Sequence, residues 1–313
     1  MKTNHTLFAV LLCALALSLH GCSITSHPAS KATLGKPSSE AEMERQIDQP
    51  GPIQLETINS ADWSVPLAGL LNLKRPAAIQ AGLKDRDEPI KIFVHVLKHP
   101  QYGIFLVDTG VSQQLVEDPQ KFGWSWLILK LIPIKAIKVQ NSTAHVLESF
   151  HQKLNGVFLT HLHSDHISGM PDIANDTPLY IGKDESTKKE FLNMFTYSAT
   201  NKMLEDKQTL QEWDFIPEPG GIFSGVVDIF GDGSVFAIGV PGHTQGSTAY
   251  LVRTPKGPVL LTGDTSHTRW GWDNGVEPGD YTRDNDKNLQ NLLALKALVS
   301  RHPKIEVRLG HQY

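Results

Sequence analysis

His161-Leu162-His163-Ser164-Asp165-His166 places four strong metal donors in six residues. Imidazole and carboxylate together suit a borderline dication such as zinc, and no thiolate stands nearby. A solvated, histidine-rich loop is the plain alternative. It is weakened by three downstream segments that repeat one pattern, an apolar run, a glycine and then a donor: Gly242-His243 after Val235 to Val240, Gly263-Asp264 after Leu260-Leu261, and Gly310-His311 after Leu309.

The elements that must position these donors follow from the same stretches. Val157-Phe158-Leu159 reads as a short buried strand that ends just before His161. A turn lets successive side chains converge on one point, whereas neighbours in a strand point to opposite faces. Four strand ends feeding one rim would hold a site on a rigid scaffold. Ile53 to Ile58, Ile90 to Leu97 and Ile104 to Val107 are further strand candidates, as are Ser224 to Phe230, Thr248 to Val252 and Pro258 to Leu261. Asp286 to Ser300 carries an apolar stripe of Leu289, Leu292, Leu293, Leu295, Leu298 and Val299, which predicts an amphipathic helix ended by Pro303. A second helix is expected over 184–203, with Phe191, Leu192, Met194 and Phe195 facing inward. The strand–strand–helix alternation predicts an α/β fold, two sheets face to face with helices outside, a four-layer αββα sandwich.

His161-x-His163-x-Asp165-His166, followed in order by Gly242-His243-Thr244-x-Gly246, Thr262-Gly263-Asp264 and Gly310-His311, resembles the metallo-β-lactamase-fold hydrolases. Asp108-Thr109-Gly110 also looks like that superfamily's early, structural Asp-x-Gly turn. The resemblance implies two metal ions, here expected as two Zn2+ with other divalent metals open. The residues matching His161, His163 and His243 would hold the first, those matching Asp165, His166 and His311 the second, and Asp264 would bridge them. Two dications lower the pKa of a shared water and polarise a substrate carbonyl. Asp165 would also carry a proton to the leaving oxygen.

Within the superfamily the chain is most similar to the N-acyl-homoserine lactonases. The spacing after His166 and the single closing helix before Gly310-His311 fit that group. Glyoxalase II-type thioesterases carry a further helical domain after the bridging aspartate, for which Thr265 to Tyr313 is too short. One position departs from the lactonases, which usually place a Tyr three residues after the bridging Asp; here it is His267, as in related organophosphate hydrolases. As a catalytic residue His267 would donate to the oxygen on which charge develops; alternatively it packs on Trp270 or Trp272. The favoured function is therefore a dinuclear zinc hydrolase opening a small ester or lactone, with N-acyl-homoserine lactone favoured. A phosphotriesterase or arylesterase is the alternative, and a non-catalytic zinc-binding lipoprotein the alternative of a different class.

The rest of the sequence bears on address and partners. Residues 1–21 read as a lipoprotein signal peptide: Lys2, the apolar run Leu7 to Leu19, too short to span a membrane, then Leu19-His20-Gly21-Cys22. A lipidated Cys22 would anchor the protein in the bacterial envelope, with the outer membrane facing the periplasm favoured because Ser23 follows. The only other cysteine, Cys13, lies in the apolar run, so the mature body has neither disulfides nor thiol ligands. Residues 22–50 are expected as a flexible tether, in which a short helix around Glu40 to Ile47 would be marginal alone, and 51–313 as one hydrolase domain. A net charge of −4 without a basic stripe argues against nucleic acid. The apolar stretch Pro119 to Ile137 is either packed core or a lid, a membrane contact or a homodimer contact. His95 and His99 are expected to be structural or solvated.

Overall fold

A computed structural model describes residues 21–312. Two sheets dominate it. The larger has eight strands in the order Ala29–Lys31, Leu210–Glu212, Leu179–Ile181, Leu154–Phe158, Gly103–Val107, Asp87–His99, Gln54–Pro66 and Lys138–Val139. The smaller has six, Glu306–Arg308, Gly257–Leu261, Thr248–Thr254, Val235–Gly239, Val226–Asp228 and Lys36–Ser38.

Period-two alternation sorts the side chains into layers. Phe105 and Val107 of the larger sheet meet Val235, Ala237, Tyr250 and Val252 of the smaller one in the core between the sheets. Their neighbours Ile104 and Leu106 turn to the outer face, under Leu115, Val146, Met203 and Leu204 of flanking helices. Phe236, Ile238, Leu251 and Leu260 turn to the other outer face, against Leu292, Leu295 and Leu298. This is the expected αββα arrangement. The helix Asn285–Arg301 carries that last stripe and is capped by Asp284, whose carboxylate accepts from Lys287 N–H. Leu293, assigned to the stripe from sequence, lies 48% exposed instead.

Other expectations are corrected as well. The segment 22–50 is not a tether. Ala29–Lys31 pairs in parallel with Leu210–Glu212, and Lys36–Ser38 forms the edge of the smaller sheet against Val226–Asp228. The helix Glu40–Ile47 begins at Ser39, whose hydroxyl accepts from Glu42 N–H, and it buries Met43 and Ile47 completely. Its composition is polar because only one narrow face meets the core; pairing supplies the rest. Residues 22–50 are therefore part of the same fold as residues 51–312. The expected signal peptide lies outside the described residues except for Gly21.

The helix expected over 184–203 is shorter. Lys189–Glu190 is a strand pairing with Cys22–Ser23, and the helix runs Asn193–Leu204. Ala199, Met203 and Leu204 face the core, whereas Phe191, Leu192, Met194 and Phe195 point outward, 59, 47, 47 and 36% exposed. The stretch from Pro119 to Ile137 is not a single helix, and it belongs to the core only in part. Three short 3-10 turns, Pro119–Phe122, Ile128–Lys130 and Ile134–Ala136, bury Trp124 and Ile134 and leave Trp126, Leu127 and Leu131 outside.

Candidate active site

Strand direction brings the donors together. Val235–Gly239, Gly257–Leu261 and Glu306–Arg308 run the same way, since each of the first two is antiparallel to Thr248–Thr254 and the third is parallel to the second. Their C-terminal ends share one edge and release His243, Asp264 and His311. In the larger sheet the parallel neighbours Gly103–Val107 and Leu154–Phe158 end at Asp108 and just before His161. Glycines make two of these turns possible. Gly242 has φ +151, and a Cβ there would meet Asn288 backbone at 2.5 Å. At Gly310 a Cβ would stand 2.1 Å from Asp264 Oδ1.

Asp264 is the hub. Its Oδ2 lies 3.7 Å from His161 Nε2, 3.2 Å from His166 Nε2, 3.4 Å from His243 Nε2, 3.4 Å from His311 Nε2 and 2.9 Å from His267 Nε2. His163 Nδ1 faces His243 Nε2 at 2.9 Å, and Asp165 Oδ2 stands 3.4 Å from His311 Nε2. Every residue predicted for the site is thus present in it. The donors fall into sets that could each hold a cation: His161, His163 and His243; Asp165, His166, Asp264 and His311; and His243, Asp264 and His267.

The remaining ring nitrogens are held from behind, which fixes which nitrogen faces the site. His166 Nδ1–H donates to Asp108 at 2.7 Å, and Asp108 also accepts from Thr160 N–H and Thr160 Oγ1–H. Asp108 takes this position with φ 55, a left-handed conformation rare outside glycine but tolerated by Asp. His311 Nδ1–H donates to the Lys91 carbonyl at 2.8 Å, and His267 Nδ1–H to the Leu70 carbonyl at 3.0 Å. His267 does not stack on Trp270 or Trp272; its ring neighbours are His243 and His311.

Burial pushes His161 and His243 well below the usual histidine range and His163 down to about 4, so their nitrogens offer lone pairs rather than protons. Burial also acts on His166 and His311, but the carboxylates around them outweigh it. Asp264, Asp108 and Asp165 raise His166 well above its ordinary value, and Asp264 and Asp165 raise His311 to about 10. The same attraction overcomes burial at Asp165 and Asp264 and keeps both ionised.

This donor set fits divalent metal. His161 Nε2 and Asp264 Oδ1 are buried without a hydrogen-bond partner among the described residues, and both belong to the donor sets. Buried polar atoms are seldom left so unless something else pairs with them. Six imidazoles crowded on two carboxylates, with no sulfur, suit zinc or a similar dication.

The family model of the metallo-beta-lactamase superfamily matches residues 95–311, which spans all of these donors. The chain belongs to the metallo-beta-lactamase superfamily.

Relatives of this superfamily member include N-acyl homoserine lactonase AttM of Agrobacterium fabrum, 30% identical over 230 residues that cover 72% of the chain and 83% of the relative. Among solved structures, a quorum-quenching N-acyl homoserine lactone hydrolase superposes with TM-score 0.59 at 19% identity, covering 85% of this chain and 94% of that one. The dizinc quorum-quenching lactonase AidC does so with TM-score 0.53 at 16% identity, covering 89% and 90%. At such identity the structural likeness concerns the fold.

Two groups in the superfamily scaffold escaped sequence reasoning. Glu185 is buried and accepts from Leu162 N–H at 2.8 Å and Gly246 N–H at 2.7 Å, so one carboxylate ties the His161–His166 loop to the His243 loop. No local pattern marks it, because its partners are main-chain groups 23 and 61 residues away. The second is that part of the apolar wall that comes from outside the Pro119 to Ile137 stretch, which the sequence offered as a lid. The donor cluster floors a cavity of about 290 Å³ whose sides include Trp63, Ile90, Ile128, Leu131, Leu192 and Phe195.

Proposed function

We propose that this chain opens a small ester-like ring by hydrolysis, with an N-acyl homoserine lactone as its substrate. The observation that carries this reading is the cavity: a floor of histidines and carboxylates beneath walls of aliphatic and aromatic side chains. A polar ring with an acyl tail matches such a two-part surface. The relatives named as N-acyl homoserine lactonases support the same substrate class.

Two divalent ions, zinc in this proposal, held by His161, His163 and His243 and by Asp165, His166 and His311 with Asp264 between them, would supply an activated water and polarise the carbonyl. The chain's own groups do the rest. The apolar wall seats the tail and leaves the ring over the donors. Asp165, its side chain 21% exposed on the floor, takes the proton from the attacking water and passes it to the ring oxygen as the acyl C–O bond breaks. His267 lines the cavity with Nε2 2.9 Å from Asp264 Oδ2, and as an imidazolium, donating from Nε2 as well as to the Leu70 carbonyl from Nδ1, it stabilises charge developing on oxygen. The product is an N-acyl homoserine, and no other reactant is required.

His267, standing where the lactonases usually carry Tyr, favours a second reading in which the same floor accepts a phosphotriester. One experiment separates these. Metal-loaded protein is assayed against acyl homoserine lactones, aryl esters and phosphotriesters, with metal quantified in the same sample. Fastest turnover of a medium-chain lactone with two metals per chain is expected. Preference for the phosphotriester selects the second reading, and no turnover with both metals bound leaves a non-catalytic metal protein.

We also propose export and anchoring through a lipidated Cys22. In support, Cys22 is exposed and carries a free thiol at the surface. Detergent-phase partitioning of the wild type, and its loss in Cys22→Ser, tests this; identical aqueous behaviour of both would refute it.

A further inference from the structure

Large apolar side chains are exposed on the segments that form the cavity mouth. Trp126 is 62% exposed, Leu131 68% and Phe191 59%, on two segments that face each other across the opening. Leu131, Leu192 and Phe195 line the cavity, the Phe191 ring meets that of Phe195 at 5.8 Å, and Trp126, Leu127 and Met194 are exposed on the same two segments. Contiguous exposed apolar surface of this kind marks a contact with something outside the chain.

Two features say what covers it. The first is charge. From Pro119 to Leu147 the sequence holds four lysines and no Asp or Glu. Lys121, Lys130 and Lys135 are exposed among the apolar side chains, and Lys130 Nζ lies 4.6 Å over the Trp126 ring. Lys188 and Lys189 are exposed beside Phe191, while the adjacent Glu190 carboxylate is engaged by Arg283 at 2.8 Å. Tryptophan, leucine and lysine interleaved on one surface match the boundary between acyl chains and anionic headgroups. The second is where the chain enters the described fold. Cys22 pairs with Glu190, and its carbonyl accepts from Asn193 Nδ2–H, beside a cavity-lining residue of the same rim. A lipid carried on Cys22 would start at this face.

We propose that the cavity rim is a docking face for an anionic phospholipid surface, which seats the mouth at the bilayer interface so that acyl-tailed substrate enters from the lipid side. Among the described residues no helix is long and apolar enough to cross a membrane. The proposal builds on the envelope address above. Lipid binding measured without the Cys22 lipid tests it separately from that address and from the lactone reading.

Protein recovered from cells expressing the full chain with Cys22→Ser is titrated with vesicles of phosphatidylcholine alone and with one third phosphatidylglycerol. Binding is followed by co-sedimentation and by quenching of tryptophan with brominated lipid. The expected result is binding to the anionic vesicles, weakened by salt, with quenching that Trp126→Phe removes. The triple variant Trp126→Glu/Leu127→Glu/Phe191→Glu alters residues outside the cavity lining. It should lose about ten-fold or more in vesicle affinity while keeping its metal content, its melting temperature and its turnover of a short-chain lactone in water. A folded triple variant that binds vesicles as the parent does would overturn the proposal. So would absence of binding by the parent, including the case in which sedimentation shows a dimer that the triple variant abolishes, for the rim would then be covered by a second copy.

Discussion

His267 and Asp165 carry the reactive assignments at the scale of single residues. His267→Ala removes a donor that faces the floor and leaves the Leu70 carbonyl without its partner. Loss of one such preorganised donor costs about 10²–10³ in rate. The variant should therefore show that fall in kcat with metal content unchanged, and His267→Tyr should keep lactone turnover while any phosphotriester turnover drops. Unchanged rates for His267→Ala on every substrate would make the residue structural. Asp165→Asn retains shape but loses the ionised carboxylate near His311, so kcat should drop by about 10²–10⁴ if the proton passes through it. Metal analysis of the same sample shows whether the loss belongs to proton transfer or to a weakened second site.

Elements explain why donors so far apart in sequence meet. Three parallel-running strands of the smaller sheet deliver His243, Asp264 and His311 to one edge. Glu185 then fixes the His161–His166 loop to the His243 loop through two main-chain N–H groups. Glu185→Gln can satisfy only one of them, and a lost charge-assisted hydrogen bond costs about 1.5–3 kcal/mol. Urea unfolding should register that cost, together with slower turnover, even though no donor to metal has changed. The helix Glu40–Ile47 is the second case. Met43 is completely buried against the smaller sheet, so Met43→Ala should destabilise the fold by about 2–5 kcal/mol. A residue in a free tether would show no such effect, and a denaturation midpoint equal to the wild type would restore the tether.

Across the whole molecule, the buried histidines couple stability to pH. His95 sits in the larger sheet with Nδ1 2.6 Å from Thr57 Oγ1. Burial, helped by Arg308 and His166, pushes it down to about 3. Unfolding frees it to titrate near 6.5, so the stability it contributes is complete above that value and is lost as pH falls toward 3. Between pH 6.5 and pH 5 the loss amounts to about 2 kcal/mol, at roughly 1.4 kcal/mol per unit. The wild type should lose denaturant midpoint over that interval faster than His95→Asn, which lacks the titrating ring. Parallel slopes for the two proteins would show that His95 is not the group responsible.

Residue identity and order alone determined the donor set, the strand ends that carry it and the layered fold, because each is local: a glycine turn after an apolar run, or a helical stripe over 285–301. His161, His163, Asp165, His166, His243, Asp264 and His311 were legible from residue type and order, and His267 from the position that the resemblance to the lactonases marks. What only tertiary structure decided was non-local. Residues 22–50 look like a linker by composition, since hydrogen bonding to the edges of two sheets leaves no apolar signature in the strand that pairs. Phe191, Leu192 and Phe195 look like a core stripe, since hydrophobicity states what a side chain would bury, not whether the fold brings anything to cover it. Glu185 likewise gained its role only when the chain carried Leu162 and Gly246 to its two oxygens.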